Sequence, residues 1–397
     1  MTNYKYLIVG GGMTAAAAAG GIRECDRTGT IGLISTESNP PYDRPPLTKG
    51  LWKDKFEDSV WRKLPGKRIK VHLGLKIVAL DPKQHCAMDD KGTVYRYKKL
   101  LLATGGSPRQ LPFGNGQIIY YRTFHDYQLL RALAKKGRRF AVIGGGFIGS
   151  EIAASLAMNK KRVVLIFPGP AIGARVYPRK LADFLNSYYR NKGVTVLAGE
   201  TAADVEIHGN QYSVKTNRHR RILVDGVIAG LGIEPNVELA RKAKLRIDDG
   251  VVVNKLLRTS EPDIFAAGDV AAFYNPALGK RMRVEHEDNA NTMGKAAGRN
   301  MAGQSEPYNH LPFFYSDLFD LGYEAVGELD SGLETVVDWK KPNHEGVIYY
   351  LRRGRVRGVL LWNVWGQVDA ARQLIAQRGP FRVRDLKGKL PAPQKAA

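Results

Sequence analysis

The stretch Tyr6-Leu7-Ile8-Val9-Gly10-Gly11-Gly12-Met13-Thr14-Ala15 decides the fold. Four apolar residues run into three glycines, and small residues follow, which reads as a buried strand, a tight turn and a helix. The same order recurs at Arg139-Phe140-Ala141-Val142-Ile143-Gly144-Gly145-Gly146-Phe147-Ile148-Gly149, with a helical pattern continuing to Ala157. A further apolar run follows each copy, at 30–35 and at 162–167, so the chain contains two βαβ units. Such a turn suits a pyrophosphate, because backbone N–H groups at a helix N-terminus face it and the helix dipole favours its charge. The first glycine permits the turn, the second lets the backbone approach the phosphates, and the third small residue lets helix pack on strand. These are Gly10, Gly12 and Ala15 in the first copy, and Gly144, Gly146 and Gly149 in the second. One copy alone is equally well a plain glycine turn. Two copies, each between a strand and a helix, imply two dinucleotides on one chain, FAD and NAD(P)H, with hydride passing from nicotinamide to flavin.

Working outward, a strand at 99–103 ends in Thr104-Gly105-Gly106, and Ile264-Phe265-Ala266-Ala267-Gly268-Asp269 is a strand leading into a turn. Asp269 is expected to precede a helix, where an aspartate is also an ordinary N-cap. From Leu311 aromatic residues rise, strands and turns dominate, and a helix is expected near 369–377; the basic tail from Arg378 is expected to be loosely held. The length of 397 residues predicts two or three domains. Sixty-one Lys and Arg against 38 Asp and Glu give a net charge of +23, which favours acidic partners: a redox protein, nucleic acid or an anionic surface. A purely solvating charge is the plainer reading. Cys25 and Cys86 belong to no CxxC or CxxxxC pair, and the 8 histidines lack ligand spacing, so neither disulfide nor metal is expected. The uncharged run 6–22 is too short and too rich in Gly and Ala for a membrane span or leader, which makes the cytoplasm the expected location.

Nine segments in order carry a closer resemblance: VGGGMTA (9–15), PPYDRPPLTKGLW (40–52), LLATGGSPR (101–109), VIGGGFIGSEIA (142–153), GLGIEPNVELA (230–240), IFAAGDVA (264–271), VEHEDNANTMGKAAGRNMAG (284–303), PFFYSDL (312–318) and LLWNVWG (360–366). Over about residues 3–375 the chain resembles the pyridine-nucleotide flavoprotein superfamily, in the branch of apoptosis-inducing factor and the ferredoxin, rubredoxin and putidaredoxin reductases. VEHEDNA and FFYSDL lean toward the apoptosis-inducing-factor type. The resemblance implies an α/β protein with two Rossmann-type, glutathione-reductase-like domains and an α+β C-terminal domain. The expected parts are an FAD domain from 1–112 and 241–310, an NAD(P)H domain at 113–240, and a C-terminal domain at 311–397.

It also implies roles. Arg44 is expected at the FAD phosphates, Lys49 near flavin N5 and Glu151 as the partner that fixes the lysine. A cation held there stabilises negative charge on reduced flavin. Taken alone, Lys49 is an ordinary surface lysine and Glu151 a first-turn acid complementing the helix dipole. Thr104, Gly105, Arg109, Asp269, Glu285, His286 and Tyr315 complete the implied FAD set, and Phe147, Ile148, Arg175 and Gly232 join the second glycine turn in the NAD(P)H set. Phe314 and Tyr315 match aromatic positions beside the rings, where the family often has Trp at Tyr315; ordinary core is their alternative.

Two departures stand out. Thr36 takes the place of the usual acid for the FAD adenosine ribose, so Glu37 is the candidate. In the second unit the strand ends Phe167-Pro168-Gly169-Pro170, and no Asp or Glu lies between Glu151 and Asp183; Arg175, Arg179 and Lys180 lie there instead. NAD specificity uses a carboxylate on the ribose 2′-OH and NADP an arginine, so NADPH is expected to be accepted. PYDRPPLTK stands where disulfide reductases carry a Cys pair, so electrons must leave the flavin directly to a carrier, a quinone or oxygen. The leading expectation is an NAD(P)H oxidoreductase, monomeric or homodimeric, serving an acidic ferredoxin-like carrier. The alternative is a signalling flavoprotein like apoptosis-inducing factor, with a lasting reduced complex and a basic surface for nucleic acid or a protein.

Overall fold

The structure is a computed structural model, and it describes residues 2–53 and 55–390. Contacts gather into two units: Met1–Arg44 with Glu57–Ser107 and Glu234–Pro312, and Pro45–Phe56 with Pro108–Ile233 and Phe313–Ala397.

In the first unit, Thr2–Val9 lies between parallel strands Ile31–Ile34 and Val94–Leu102, and Ile69–His72 and Ile264–Ala266 extend the sheet on either side. Val9 pairs with both Ile34 and Leu102, so the three strands end level, at the carboxyl edge where open α/β sheets place ligands. Helix Met13–Cys25, whose buried residues are Ala and Gly apart from Thr14 and Ile22, packs against helix Glu287–Met301. The approach is close: a Cβ on Gly298 would stand 2.1 Å from the Ala18 carbonyl oxygen. Asp26 closes the first helix. One of its oxygens accepts the N–H groups of Thr28 (3.0 Å) and Gly29 (2.8 Å), the other Lys5 (2.7 Å) and the Tyr6 hydroxyl (2.9 Å). Asp269 corrects one expectation. It sits inside a single 3₁₀ turn, Gly268–Val270, and strand Ala271–Asn275 follows at once, so it caps no α-helix.

In the second unit, five parallel strands take the order Val194–Ala198, Arg162–Phe167, Arg139–Ile143, Gly226–Ala229, Ile118–Tyr120. An antiparallel three-stranded sheet, Ala202–His208, Gln211–Thr216 and Arg221–Val224, joins its core. The C-terminal stretch is a five-stranded antiparallel sheet in the order Phe313–Leu318, Leu321–Gly327, Arg355–Trp362, Glu345–Arg352, Glu334–Lys341, with helix Val368–Ala376 on one face. Residues 45–53 belong to this unit too: the Leu47 carbonyl accepts from Trp52 Nε1 (2.8 Å) and the Tyr121 hydroxyl (2.5 Å), and Ser155 Oγ donates to the Thr48 carbonyl (2.6 Å). The expected loose tail is held as far as Leu390. Phe381 N–H donates to Gly354 (2.7 Å), Gly388 N–H to Asp338 (2.7 Å), and Leu386 and Leu390 are buried. Residues 391–397 of that tail lie outside the described residues.

Among the described residues, no helix is long and apolar enough to cross a membrane.

Candidate functional site

The two glycine turns are built alike. Gly10 and Gly144 have φ of +128° and +120°, and a Cβ on either would lie 2.1 and 2.3 Å from a carbonyl oxygen, of Ala103 and Gly230. Only glycine fits both demands. Gly12 and Gly146 head their helices with nearly the same backbone, φ −89° and −87°, ψ −167° in each, and no side chain caps either helix. Among the described residues nothing outside the turn and helix backbone lies within 4 Å of where their Cβ atoms would be, so neither N-terminus is covered at that point, and the backbone N–H groups of a bare helix N-terminus suit a pyrophosphate. Ala15 is fully buried, and a Cβ on Gly149 would meet the Gly144 oxygen at 1.9 Å, so both third positions serve helix–strand contact.

Beside the first turn, Glu37 is held from two sides: Arg44 at 2.5 Å on one oxygen and the Tyr42 hydroxyl at 2.6 Å on the other. Burial alone would lower the Arg44 pKa; the neighbouring Tyr42, Glu37 and Asp269 outweigh it and raise it, so this cation stays charged. Arg283, which sequence reasoning missed, reaches the Asp269 carbonyl (3.2 Å), the Glu285 carboxylate (2.6 Å) and Asp249 (3.0 Å). It ties Asp269 to Glu285, and His286 follows as the residue before helix Glu287–Met301. Thr104 and Gly105 are fixed through Asn236, which exchanges bonds of 2.9 Å with Thr104 at both ends and donates its N–H to Gly105 at 3.0 Å.

In the second unit, Glu151 is the centre of a buried polar cluster. Lys49 Nζ (2.7 Å) and Thr48 Oγ1 (2.6 Å) donate to one oxygen, and Ser316 Oγ (2.6 Å) donates to the other. The Glu151 side chain is 3% exposed and that of Lys49 12%, so the pair sits where charge is weakly screened. Burial above all, with the Glu151 charge adding to it, keeps the phenols of Tyr177, Tyr189 and Tyr323 protonated around it. The Lys49 ammonium lies 5.2 Å from the Tyr315 ring centre, and Phe147 packs against Phe314 at 5.3 Å. The fold therefore joins the expected lysine and glutamate and adds two hydroxyls that sequence spacing did not reveal. Ser316 is 165 positions from Glu151; the single hint was its place in the FFYSDL segment.

Arg109 and Gly232 meet through the backbone, N–H to carbonyl at 3.0 Å, and Gly232 has φ +81°. Ile148 is exposed on the helix after Gly146, and Arg175 is exposed with its carbonyl bonded to Ser331 N–H at 3.0 Å. Cys25 and Cys86 are both free thiols.

The sequence model of the pyridine nucleotide-disulphide oxidoreductases matches residues 4–294. That of the C-terminal domain of mitochondrion-associated apoptosis-inducing factor matches 297–345 and 339–377. Apoptosis-inducing factor 1 of Dictyostelium discoideum, a mitochondrial protein, is 36% identical over 94% of this chain and 79% of its own length. The ferredoxin–NAD(+) reductase component of the anthranilate 1,2-dioxygenase system of Burkholderia cepacia is 33% identical over 100% and 98%. Among solved structures, putidaredoxin reductase in covalent complex with putidaredoxin aligns with a TM-score of 0.89 at 29% identity, over 96% of this chain and 94% of that one.

Proposed function

Because the chain belongs to the pyridine nucleotide-disulphide oxidoreductase family, FAD-dependent enzymes that use NAD(P)H, we propose that it passes electrons from NAD(P)H to a ferredoxin-like carrier. The observation that carries this reading is the Lys49–Glu151 pair at 2.7 Å, braced by Thr48 and Ser316. Bound FAD supplies a two-electron acceptor for hydride that can release electrons singly. Everything else is the protein's work. Gly12 and Gly146 leave their helix ends open for FAD and NAD(P)H respectively, and Arg44 supplies a cation for the FAD phosphates. Glu37 serves the FAD ribose, with Asp269, Thr104, Gly105, Arg109, Glu285 and His286 completing the FAD set. Lys49 stabilises negative charge developing on the ring, and Glu151 positions it, since a buried ammonium with one carboxylate partner has little freedom to turn away. Tyr315, Phe314 and Phe147 supply apolar ring faces.

The carrier is favoured over a quinone by the reductases among the relatives and by the charge of +23, which would steer an acidic partner. The test is direct. Acid or heat should release one FAD per chain, and NAD(P)H should bleach the flavin and then reduce an acidic [2Fe–2S] ferredoxin catalytically. A flavin that is reduced, held reduced for minutes and never passes electrons to any carrier would favour the reading as a signalling protein instead.

A further inference from the structure

The strand Arg162–Phe167 ends at the place where a dinucleotide's adenosine ribose is read, and Pro168 there carries no charge. The neighbouring strand exit is stitched to that place: Gly199 N–H donates to the Gly169 carbonyl (2.9 Å) and Glu200 N–H to Phe167 (3.2 Å). Onto this exit folds the hairpin turn 216–220. Asn217 exchanges two 3.0 Å bonds with Thr201, Thr216 N–H meets the Arg220 carbonyl at 3.0 Å, and His219 takes a left-handed φ of +60° to close the turn. The turn presents two arginines. Arg220 Nε pairs with Glu200 at 3.0 Å, and Thr216 Oγ donates to the second Glu200 oxygen at 2.9 Å. With its side chain 3% exposed and both oxygens engaged, Glu200 positions Arg220 and is not free to take a ribose hydroxyl. Arg218 is exposed, forms no ion pair among the described residues, and its Nη2 would lie 3.4 Å from a Cβ on Gly199. Of the cations expected closer in sequence, Arg179 stands out in solvent on its helix, 3.7 Å from Asp183.

We propose that Arg218 and Arg220 form a 2′-phosphate subsite, so that the chain reads NADPH through a hairpin distant in sequence from the glycine turn. The inference rests on the reading of the second glycine turn as the NAD(P)H cradle. Guanidinium groups suit a phosphate because each offers paired donors and a permanent charge, and a rigid turn spares them part of the ordering cost.

Calorimetric titration of the FAD-loaded protein with adenosine 2′,5′-bisphosphate and with AMP tests it, because the two differ only by the 2′-phosphate. The bisphosphate should bind at least about tenfold more tightly than AMP, the gain of one good charged hydrogen bond. Arg218→Ala should remove most of that gap and leave AMP affinity as it was. Arg220→Gln combined with Glu200→Gln, which leaves no buried charge unpaired, should do the same. Equal affinity of the wild-type protein for both nucleotides, or a gap that survives in both variants, overturns the subsite while the cradle stands. Failure of the wild-type protein to bind either nucleotide overturns the cradle reading, and the subsite with it.

Discussion

At the scale of single residues, the decisive arrangement is a carboxylate with three donors. Lys49→Ala should slow reduction of the bound flavin by NAD(P)H by ~10²-fold while leaving nucleotide affinity nearly unchanged, because the charge it supplies matters most as negative charge develops. Stopped-flow flavin bleaching across a range of NAD(P)H concentrations separates the two quantities; an unchanged limiting rate would reduce Lys49 to a structural role. Ser316→Ala addresses the support. It leaves one Glu151 oxygen buried without its donor, so thermal stability should fall by about 1–3 kcal/mol, with a smaller loss in rate than for Lys49→Ala. Much of this site was legible in the chain. The lysine and glutamate stand in segments whose order is diagnostic, and Gly10 and Gly144 announce themselves because a turn is a local event. Thr48, Ser316 and Arg283 were not legible as site residues, since a hydroxyl or guanidinium acquires its partner only when strands far apart in sequence meet.

At the scale of elements, small residues and helix ends govern. Gly298→Val would drive a side chain into the Ala18 carbonyl, and the close helix pair would have to separate; overpacking of this kind costs about 1–3 kcal/mol, which a melting curve will register. Asp26 makes a pH prediction. Its hydrogen bond from Lys5, followed by the Gly29 and Thr28 N–H groups, holds its carboxyl well below the usual carboxylate range, although partial burial works the other way. The stability it adds is therefore present above the unfolded pKa of about 3.9, and is lost as pH falls through the lower folded value. Asp26→Asn should melt well below the wild-type protein at pH 7, and the difference should shrink by pH 3. A gap equal at both values would show that the carboxylate's charge contributes nothing. Two elements differ from the sequence reading, each for its own reason. Asp269 follows a strand as a capping residue would, but strand Ala271–Asn275 takes up the chain before a helix can begin. The polar tail looked unattached because its anchors, Leu386 and Leu390, are isolated apolar residues with no period.

At the scale of the whole molecule, net charge is the first determinant. With +23 on the chain, reduction of an acidic ferredoxin should slow as ionic strength rises from about 0.01 M to 0.5 M, where the screening length contracts below 10 Å. Reduction of a small neutral quinone under the same conditions should hardly change. A carrier rate flat across that range, with tight salt-sensitive retention on duplex DNA, would shift the role of the charge to nucleic acid. The second determinant is the path of the chain, which passes from one unit to the other after Arg44, Phe56, Ser107, Ile233 and Pro312. During synthesis, then, the two units are completed at different times. The first waits for helix Glu287–Met301 to cover its Ala-rich helix; the parallel sheet of the second has all its core residues by Leu231, but Glu151 waits for the strand from Phe313 to bring Ser316. A ribosome emits roughly 5–20 residues per second, so the nascent chain spends many seconds with its first glycine turn made and its core unfinished. A chain stopped before residue 300 therefore leaves the first core uncovered and Glu151 without Ser316, while the parallel sheet of the second unit already has all its strands.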